Sequence, residues 1–468
     1  MEEKFNNLEH MDLIIEKQEN SSQQFSFGKF HLNKKTLYIL GASLLAIIMI
    51  IIIIIIICTS GGNDDDNDKK GDGEKEEEKE KEEEEGEEEK KEEEEKEEMD
   101  EKLEKFSLKG IYISYNDYEW VELLNNSFAE YITEMEIEGE NISPVANYQF
   151  KTSGNHTVYI KINIENLVSF DKLFYHISKL ISITFSEKLN TENITSMERM
   201  FVSCSQLLFV DMSHLNVENI KSFDYFFSYS KLLKNVKLPK SKVSKLESAN
   251  YMFEGCHELS SIDFTKFIVD SKNFKSFHGT FDGCHSLTFL NLSNFNTEEI
   301  IDMGELFDDC YSLTSIDFSN FKTNKLQQMN KMFYRCTKLE TLDLTKFNTE
   351  NVKTMEFLFY SCSLLKSLGV SGFNTGNVIS MNSMFNGCNS LTSLDLSNFN
   401  TNKVTNMMST FASCSNLSYL DISNFSANSE FFDFFTYLPN NGYIKLNHNV
   451  YEQIKNYIPS DWEKDFID

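Results

Sequence analysis

Apolar side chains return along the second half of the chain with a period far longer than a helix or strand turn. Counted from Cys388, leucines follow at +3, +6 and +8 (Leu391, Leu394, Leu396), then Phe399 at +11, Val404 at +16, Met407 at +19 and Phe411 at +23. After Cys336 the same series reads Leu339, Leu342, Leu344, Phe347, Val352, Met355 and Phe359. The pair at +6 and +8 has strand period, so both side chains point inward across Asp395 or Asp343, and the gaps of three predict a turn of α- or 3₁₀-helix. Each unit is thus expected to be one short strand and one short helical return.

The cysteines mark the unit length. Cys284, Cys310, Cys336, Cys362, Cys388 and Cys414 lie 26 apart; Cys204 and Cys256 lie 52 apart, with Ser230 at the midpoint. Between Cys256 and Cys284 the unit has two extra residues near Asp270 to Lys272. With a degenerate unit around Ser178, about ten turns follow. No single unit buries its own apolar side chains, so successive rungs must stack, with strands ~4.8 Å apart in a parallel sheet and ladders of Leu, Phe, Met and Cys inside.

The Leu-x-x-Leu-x-Leu strand is the signature of leucine-rich repeats. The fuller unit, Met384-Phe385-Asn386-Gly387-Cys388-Asn389-Ser390-Leu391-Thr392-Ser393-Leu394-Asp395-Leu396-Ser397-Asn398-Phe399-Asn400-Thr401, closely resembles the BspA-like leucine-rich-repeat surface proteins in their 26-residue-repeat form. The resemblance spans roughly Leu173 to Asn428. It departs from ordinary leucine-rich repeats at +11, where Phe295, Phe321, Phe347, Phe373, Phe399 and Phe425 stand in place of the ladder asparagine. It implies an α/β repeat solenoid, a right-handed stack with one parallel β-sheet face, and a role in recognition or adhesion. Strand-like alternation through Met135–Gly139, Tyr148–Phe150 and Gly154–Ile160 looks like the β-rich lead-in of some members. Gly442–Asp468, with Trp462 and Phe466, is expected to cap the last rung.

Upstream the pattern changes twice. Leu37–Ile57 holds no charged residue and ends in eight isoleucines. At 1.5 Å per residue it would span ~31 Å as a helix, matching a ~30 Å hydrocarbon core, so one transmembrane helix is expected. Lys29, Lys34 and Lys35 precede it and Asp64–Asp66 follow, which places the N-terminus in the cytoplasm and exports the rest. Asp64–Lys105 carries 26 carboxylates against ten lysines and almost no apolar residue, the composition of a disordered, extended stalk. The domain reading is a tail (1–36), a membrane helix (37–58), the acidic stalk (59–105), a β-rich cap (106–170), the solenoid (171–436) and a C-terminal cap (437–468). The net charge of −30 argues against nucleic acid as a partner.

Candidate chemistry is sparse. The repeat cysteines occupy a ladder position that Ser230 also fills, so buried free thiols are expected rather than disulfides, and there is no Cys-x-x-Cys pair for zinc. His257 and His285 follow cysteines, yet that position elsewhere carries Ser205, Tyr311, Thr337, Asn389 and Ser415. With no HExxH, GxSxG or phosphate loop, neither an enzyme nor a cofactor is expected. At +7 a column of aspartates faces out (Asp211, Asp263, Asp317, Asp343, Asp395, Asp421), broken by Lys237, Asn291 and Gly369, which argues against a stacked calcium site. Hydroxyl residues share this face at +5 and +9, except for Phe209, Phe289 and Tyr419 at +5. A flat, acidic, hydroxyl-rich sheet with a few aromatics suits a protein or glycan ligand on host or neighbouring cells. Asn125, Asn141, Asn155, Asn193, Asn291, Asn416 and Asn424 begin N-x-S/T triplets, which are glycan acceptors if exported in a eukaryote. The expected function is a plasma-membrane-anchored recognition or adhesion protein, with a passive coat and an intracellular membrane-tethered scaffold as alternatives.

Overall fold

The structure, a computed structural model, describes residues 96–467 and two short strands nearer the N-terminus, β1 (Phe25–Phe27) and β2 (Phe30–Leu32). These two pair antiparallel, Phe25 opposite Leu32, within a first compact unit, Met1–Glu89. Leu37–Ile57 and most of the acidic segment lie outside the described residues. Among the described residues no helix is long and apolar enough to cross a membrane.

The second unit opens with a helix, α1 (96–105), at the end of the acidic segment. Leu103 is buried and the Lys102 ammonium pairs with Glu136, so these last residues of the expected stalk pack onto the folded unit. Six strands follow: β3 (Leu108–Ser114), β4 (Glu119–Glu122), β5 (Ile132–Ile137), β6 (Glu140–Ile142), β7 (Asn147–Phe150) and β8 (Gly154–Ile162). The next strand, β9 (Leu180–Phe185), belongs to the first rung. β3 pairs antiparallel with β9 on one side and β8 on the other, so the lead-in sheet covers the edge of the first rung and continues into the stack.

Each later strand is two or three residues long: β10 (Phe209–Asp211), β11 (Asn235–Lys237), β12 (Lys242–Val243), β13 (Ile268–Val269), β14 (Phe289–Asn291) and β15 (Ser315–Asp317). There follow β16 (Thr341–Asp343), β17 (Ser367–Gly369), β18 (Ser393–Asp395) and β19 (Tyr419–Asp421). The stack closes with β20 (Tyr443–Asn447), α2 (His448–Ile454) and β21 (Glu463–Ile467), over which Trp462 is buried with its Nε1 donating to the Pro439 carbonyl at 2.8 Å. Leu290 opposite Ile316 and Leu394 opposite Leu420 confirm the 26-residue register of these rungs. The insertion falls between Val269 and Ser276, where the predicted extra residues lie. The first full step is 27 residues, Ser169 to Ser196, which puts Ile177 rather than Ser178 at the cysteine position.

Two expectations are corrected. The strand face is not one continuous sheet: the pairs β14–β15 and β16–β17 are separate, and the Cys256 rung has no strand at Ser261–Asp263. The returns are not helical either. Each is a second parallel ladder, joined by single bridges running from Ser169 through Ser196, Ser222 and onward to Glu430. In the rung before Cys388, the N–H groups of Met381, Ser383, Phe385 and Gly387 donate to Asn406, Met408, Thr410 and Ala412 of the next rung, at 2.9 Å. A helical turn would bond within its own rung and leave nothing for its neighbour. The chain turns while keeping alternate N–H groups along the stack axis by adopting positive φ five residues and one residue before each cysteine position, as at Ser383 (54°) and Gly387 (78°). Most of these residues are not glycine, at about 1–2 kcal/mol of strain each, which the inter-rung bonds offset.

The core is built from like residues stacked on like. Phe174, Phe201, Phe227, Phe253, Phe281, Phe307, Phe333, Phe359, Phe385, Phe411 and Phe435 form an unbroken column with centroids 5.2–5.8 Å apart. Each cysteine thiol bonds a phenylalanine carbonyl of the preceding rung, as Cys388 Sγ to Phe359 at 3.1 Å, and the Ser230 hydroxyl does the same to Phe201 at 2.7 Å. That shared bond explains the exchange of serine for cysteine. At +13 a buried threonine column carries the polar contacts of the corner: Thr375 Oγ1 donates to the Asn400 carbonyl at 3.0 Å, and Thr349 Oγ1 also accepts from Asn374 N–H at 2.8 Å.

These contacts set stability expectations. Thr375→Val keeps the volume but leaves the Asn400 carbonyl without its buried donor, and should cost about 1–3 kcal/mol, with Thr375→Ser closer to wild type. Leu394→Ala or Phe399→Ala should cost ~2–5 kcal/mol, whereas exposed Ser393→Ala should cost under about 0.5 kcal/mol. Denaturant unfolding of the four variants checks both columns; equal losses at Leu394 and Ser393 would contradict the assigned faces.

Candidate functional site

The strand face is lined by the +5 and +7 side chains, and the structure gives the two columns different duties. At +7, Oδ1 of Asp211, Asp263, Asn291, Asp317, Asp343, Asp395 and Asp421 accepts the backbone N–H of residue +9 at 2.8–3.1 Å. This is an Asx-turn that bends the chain out of each strand. The hydroxyl and N–H of residue +9 hold the carboxyls of Asp263, Asp343 and Asp395 below the usual range. The column therefore forms turns as well as surface, and the +9 hydroxyls of Ser213, Ser293 and Thr345 are partners of it. Asp211 and Asp421 are buried, contrary to the expectation that all six face water. The cause is a lysine one rung on: Lys237 Nζ lies 2.9 Å from Asp211 Oδ2, and Lys445 Nζ lies 3.6 Å from Asp421 Oδ2. Asp263 lies outside any strand but keeps its turn.

At +5 the side chains carry no such bonds across the surface. Phe289 is 50% exposed and Tyr419 is 37% exposed, while Phe209 is half-buried under Lys237, whose ammonium lies 5.4 Å from its ring centroid. The three aromatics do not meet: Phe209 is three rungs from Phe289, and Tyr419 five rungs further, ~24 Å at ~4.8 Å per rung. Between them lie the exposed Ser315, Thr341, Ser367 and Ser393. The sequence reading missed Tyr443, which stacks on Tyr419 at 5.6 Å and 2° and bonds Asp465 through its hydroxyl at 2.7 Å. The last step is 24 residues, so a fixed count of 26 passes over it.

Among the sequons, Asn141, Asn155 and Asn193 are exposed. Asn125 and Asn291 turn their Oδ1 to the serine two residues on, and the side-chain amides of Asn416 and Asn424 donate to Asn389 and Ser397 of the preceding rung. A glycan on either of the last two would break that bond. The eight repeat cysteines are free and buried, and burial pushes the thiols of Cys362 and Cys414 up to about 12. His257 and His285 stack on each other at 4.2 Å, and His285 on Tyr311 at 4.8 Å, as an aromatic column rather than a Cys-His pair. Among the described residues no three His, Cys, Asp or Glu side chains are placed to hold a metal ion.

Two constellations have no counterpart in the sequence reading. In the lead-in sheet, Ser114 Oγ lies 2.8 Å from His156 Nε2, and His156 Nδ1 lies 2.6 Å from Glu138 Oε1. The order is that of a hydrolytic triad, but Ser114 is fully buried and its hydroxyl donates to the Thr152 carbonyl at 2.8 Å, so the array ties the Glu138 hairpin turn to β3 and β8. On the return ladder, Asp282 and Asp308 stand on consecutive rungs two residues before the cysteines. Burial first, then mutual repulsion and the charges of Glu305 and Asp309, raises them to about 8 and about 7. Beside them His278 bridges Asp302 (3.1 Å) and Glu305 (3.4 Å), bonds that raise it to about 9 and, with Lys331, hold Glu305 near 2.

A stack of about ten parallel turns, with a short outward strand per turn and a Leu-x-x-Leu-x-Leu core, defines a repeat solenoid of the leucine-rich-repeat kind. The chain belongs to the family described as "Mycoplasma protein of unknown function, DUF285", which matches it over residues 146–267, 263–364 and 338–440. No curated protein matches it. Among solved structures, a leucine-rich repeat protein from Bacteroides ovatus is similar at 18% identity, covering 59% of this chain and 88% of that one with a TM-score of 0.23. TLR13 in its complex with ssRNA13 is similar at 18% identity, covering 57% of this chain and 41% of that one with a TM-score of 0.24. At such TM-scores neither carries an argument about this chain.

The raised carboxyls give a pH dependence with a definite sign. Between about pH 4 and pH 8 the folded chain keeps protons on Asp282 and Asp308 that the unfolded chain has released, so stability falls as pH rises through that window. Asp308→Asn should remove part of that slope, raising stability at pH 8 by on the order of 1 kcal/mol and leaving it unchanged near pH 4. Thermal unfolding from pH 4 to pH 9 checks this; a parallel shift at all pH values would assign the effect to packing.

Proposed function

We propose that the chain is a membrane-anchored surface protein of the BspA-like type, in its 26-residue-repeat form, that recognises a protein or glycan partner through the strand face of the solenoid. The observation that carries the reading is the division of labour on that face. The +7 side chains are bound into turns, whereas the +5 side chains are free of structural duty, and two of them, Phe289 and Tyr419, are large, apolar and open to water. A passive coat has no need of aromatic side chains projecting from a hydroxyl-lined sheet, and aromatics are the usual anchors of an interface. Leu37–Ile57 supplies the anchor and the lysines before it the orientation; the acidic segment holds the solenoid away from the lipid.

Two measurements test the reading. Protease added to intact cells should release the solenoid and leave Met1–Lys35 protected; cleavage only after permeabilisation would support the intracellular scaffold. In adhesion to host or neighbouring cells, a Phe289→Ser, Tyr419→Ser double variant should bind about tenfold less than wild type at equal thermal stability, since serine is already the commonest +5 residue. Unchanged adhesion would remove this face from the mechanism, and no adhesion by either protein would favour the coat.

A further inference from the structure

The +7 column settles its own charge twice, in the same way. Lys237 sits one rung from Asp211 and lies over the Phe209 ring; Lys445 sits one rung from Asp421, beside the Tyr419–Tyr443 stack. In each case a lysine stands in the aspartate column next to an aromatic at +5. Between these two ends Asp317, Asp343 and Asp395 have no ion pair among the described residues. Asp343 and Asp395 flank Gly369, the one column position between them, which has no side chain. Their Oδ1 atoms are committed to turns, which leaves Oδ2 of each for a cation.

We propose that the face between Phe289 and Tyr419 receives an extended polypeptide segment bearing lysine or arginine, with one cationic side chain over Gly369 between Asp343 and Asp395. This rests on the strand-face reading above and adds the chemistry of the partner. An ammonium over Gly369 stands one rung from each carboxylate, the relation that Lys237 and Lys445 already have to theirs. The two carboxylates are ~9.6 Å apart, too far to share a calcium ion, which needs six to eight oxygens at about 2.3–2.6 Å, but within reach of a mobile side chain between them. The floor of Ser315, Thr341, Ser367 and Ser393 is small enough to admit a backbone and offers hydroxyls to its amide groups. Its ~24 Å length matches about seven extended residues at ~3.4 Å each, and the aromatics close both ends.

The test uses the full-length chain with fluorescent heptalysine as probe and heptaglutamate as control, at ~0.15 M salt, where distant charges are screened. Asp343→Asn with Asp395→Asn removes both charges and keeps both turns, as Asn291 shows by making the same turn. Gly369→Lys supplies the missing lysine from within; its Cβ would meet only the mobile Asp343 Oδ1 at 2.8 Å and Thr345 Cγ2 at 3.1 Å as close side-chain neighbours. Wild type should bind heptalysine and not heptaglutamate, and each variant should bind about fivefold to tenfold more weakly at unchanged melting temperature. If Gly369→Lys does not fold, the asparagine pair decides. Undiminished binding by that pair would assign heptalysine to the acidic Asp64–Lys105 segment and overturn the proposal, as would failure of wild type to bind. Loss of adhesion in Phe289→Ser, Tyr419→Ser without heptalysine binding would overturn the basic partner while leaving strand-face recognition standing.

Discussion

Everything in this fold depends on each rung lying in register on the next. A single turn of 26 residues has no interior; its Phe, Leu, Met and Cys side chains leave water only when the same side chain of the neighbouring rung lies against them. The eleven stacked phenylalanines are the plainest expression of that requirement, because parallel rings at 5.2–5.8 Å fix both the rise and the lateral position of each turn. A slip of one residue would break the ring column, the thiol-to-carbonyl bonds and the threonine column together.

The polar parts of the backbone follow from the same constraint. A stack buries its corners, so every corner amide needs a partner above or below. The returns meet this with positive-φ residues that aim alternate N–H groups along the axis, and the turn after each phenylalanine at +11 meets it with the threonine at +13. Phenylalanine at +11 fills the space of the usual ladder asparagine, and the polar duty passes to Thr297, Thr323, Thr349, Thr375 and Thr401.

What remains for function is what stacking does not use. The +7 aspartates end the strands; the +5 column is unconstrained and varies between serine, threonine and aromatics, which makes it the place where the face differs from rung to rung. The return ladder has its own polar column, in which crowding of Asp282, Asp308 and Glu305 is relieved by proton uptake and by His278 and Lys331. One rung carries charge tuned by its neighbours on both sides, so a local substitution is felt through three turns.

The sequence by itself determined the repeat length, the inward positions and the outward column, because a stack copies one residue's environment into the next and so writes its period into the chain. Leu394, Phe399, Cys388 and the substitution of Ser230 are all legible in that way. The gaps of three read as helix, yet a spacing of three or four residues fits equally a turn that bonds to its neighbours, and only the stacked structure chose between them. The Tyr419–Tyr443 stack, the Asp282–Asp308 pair and the Ser114–His156–Glu138 array were decided by tertiary structure alone. Each joins residues whose separation along the chain departs from the repeat, or whose meeting depends on how the backbone turns, and periodicity carries no information about either.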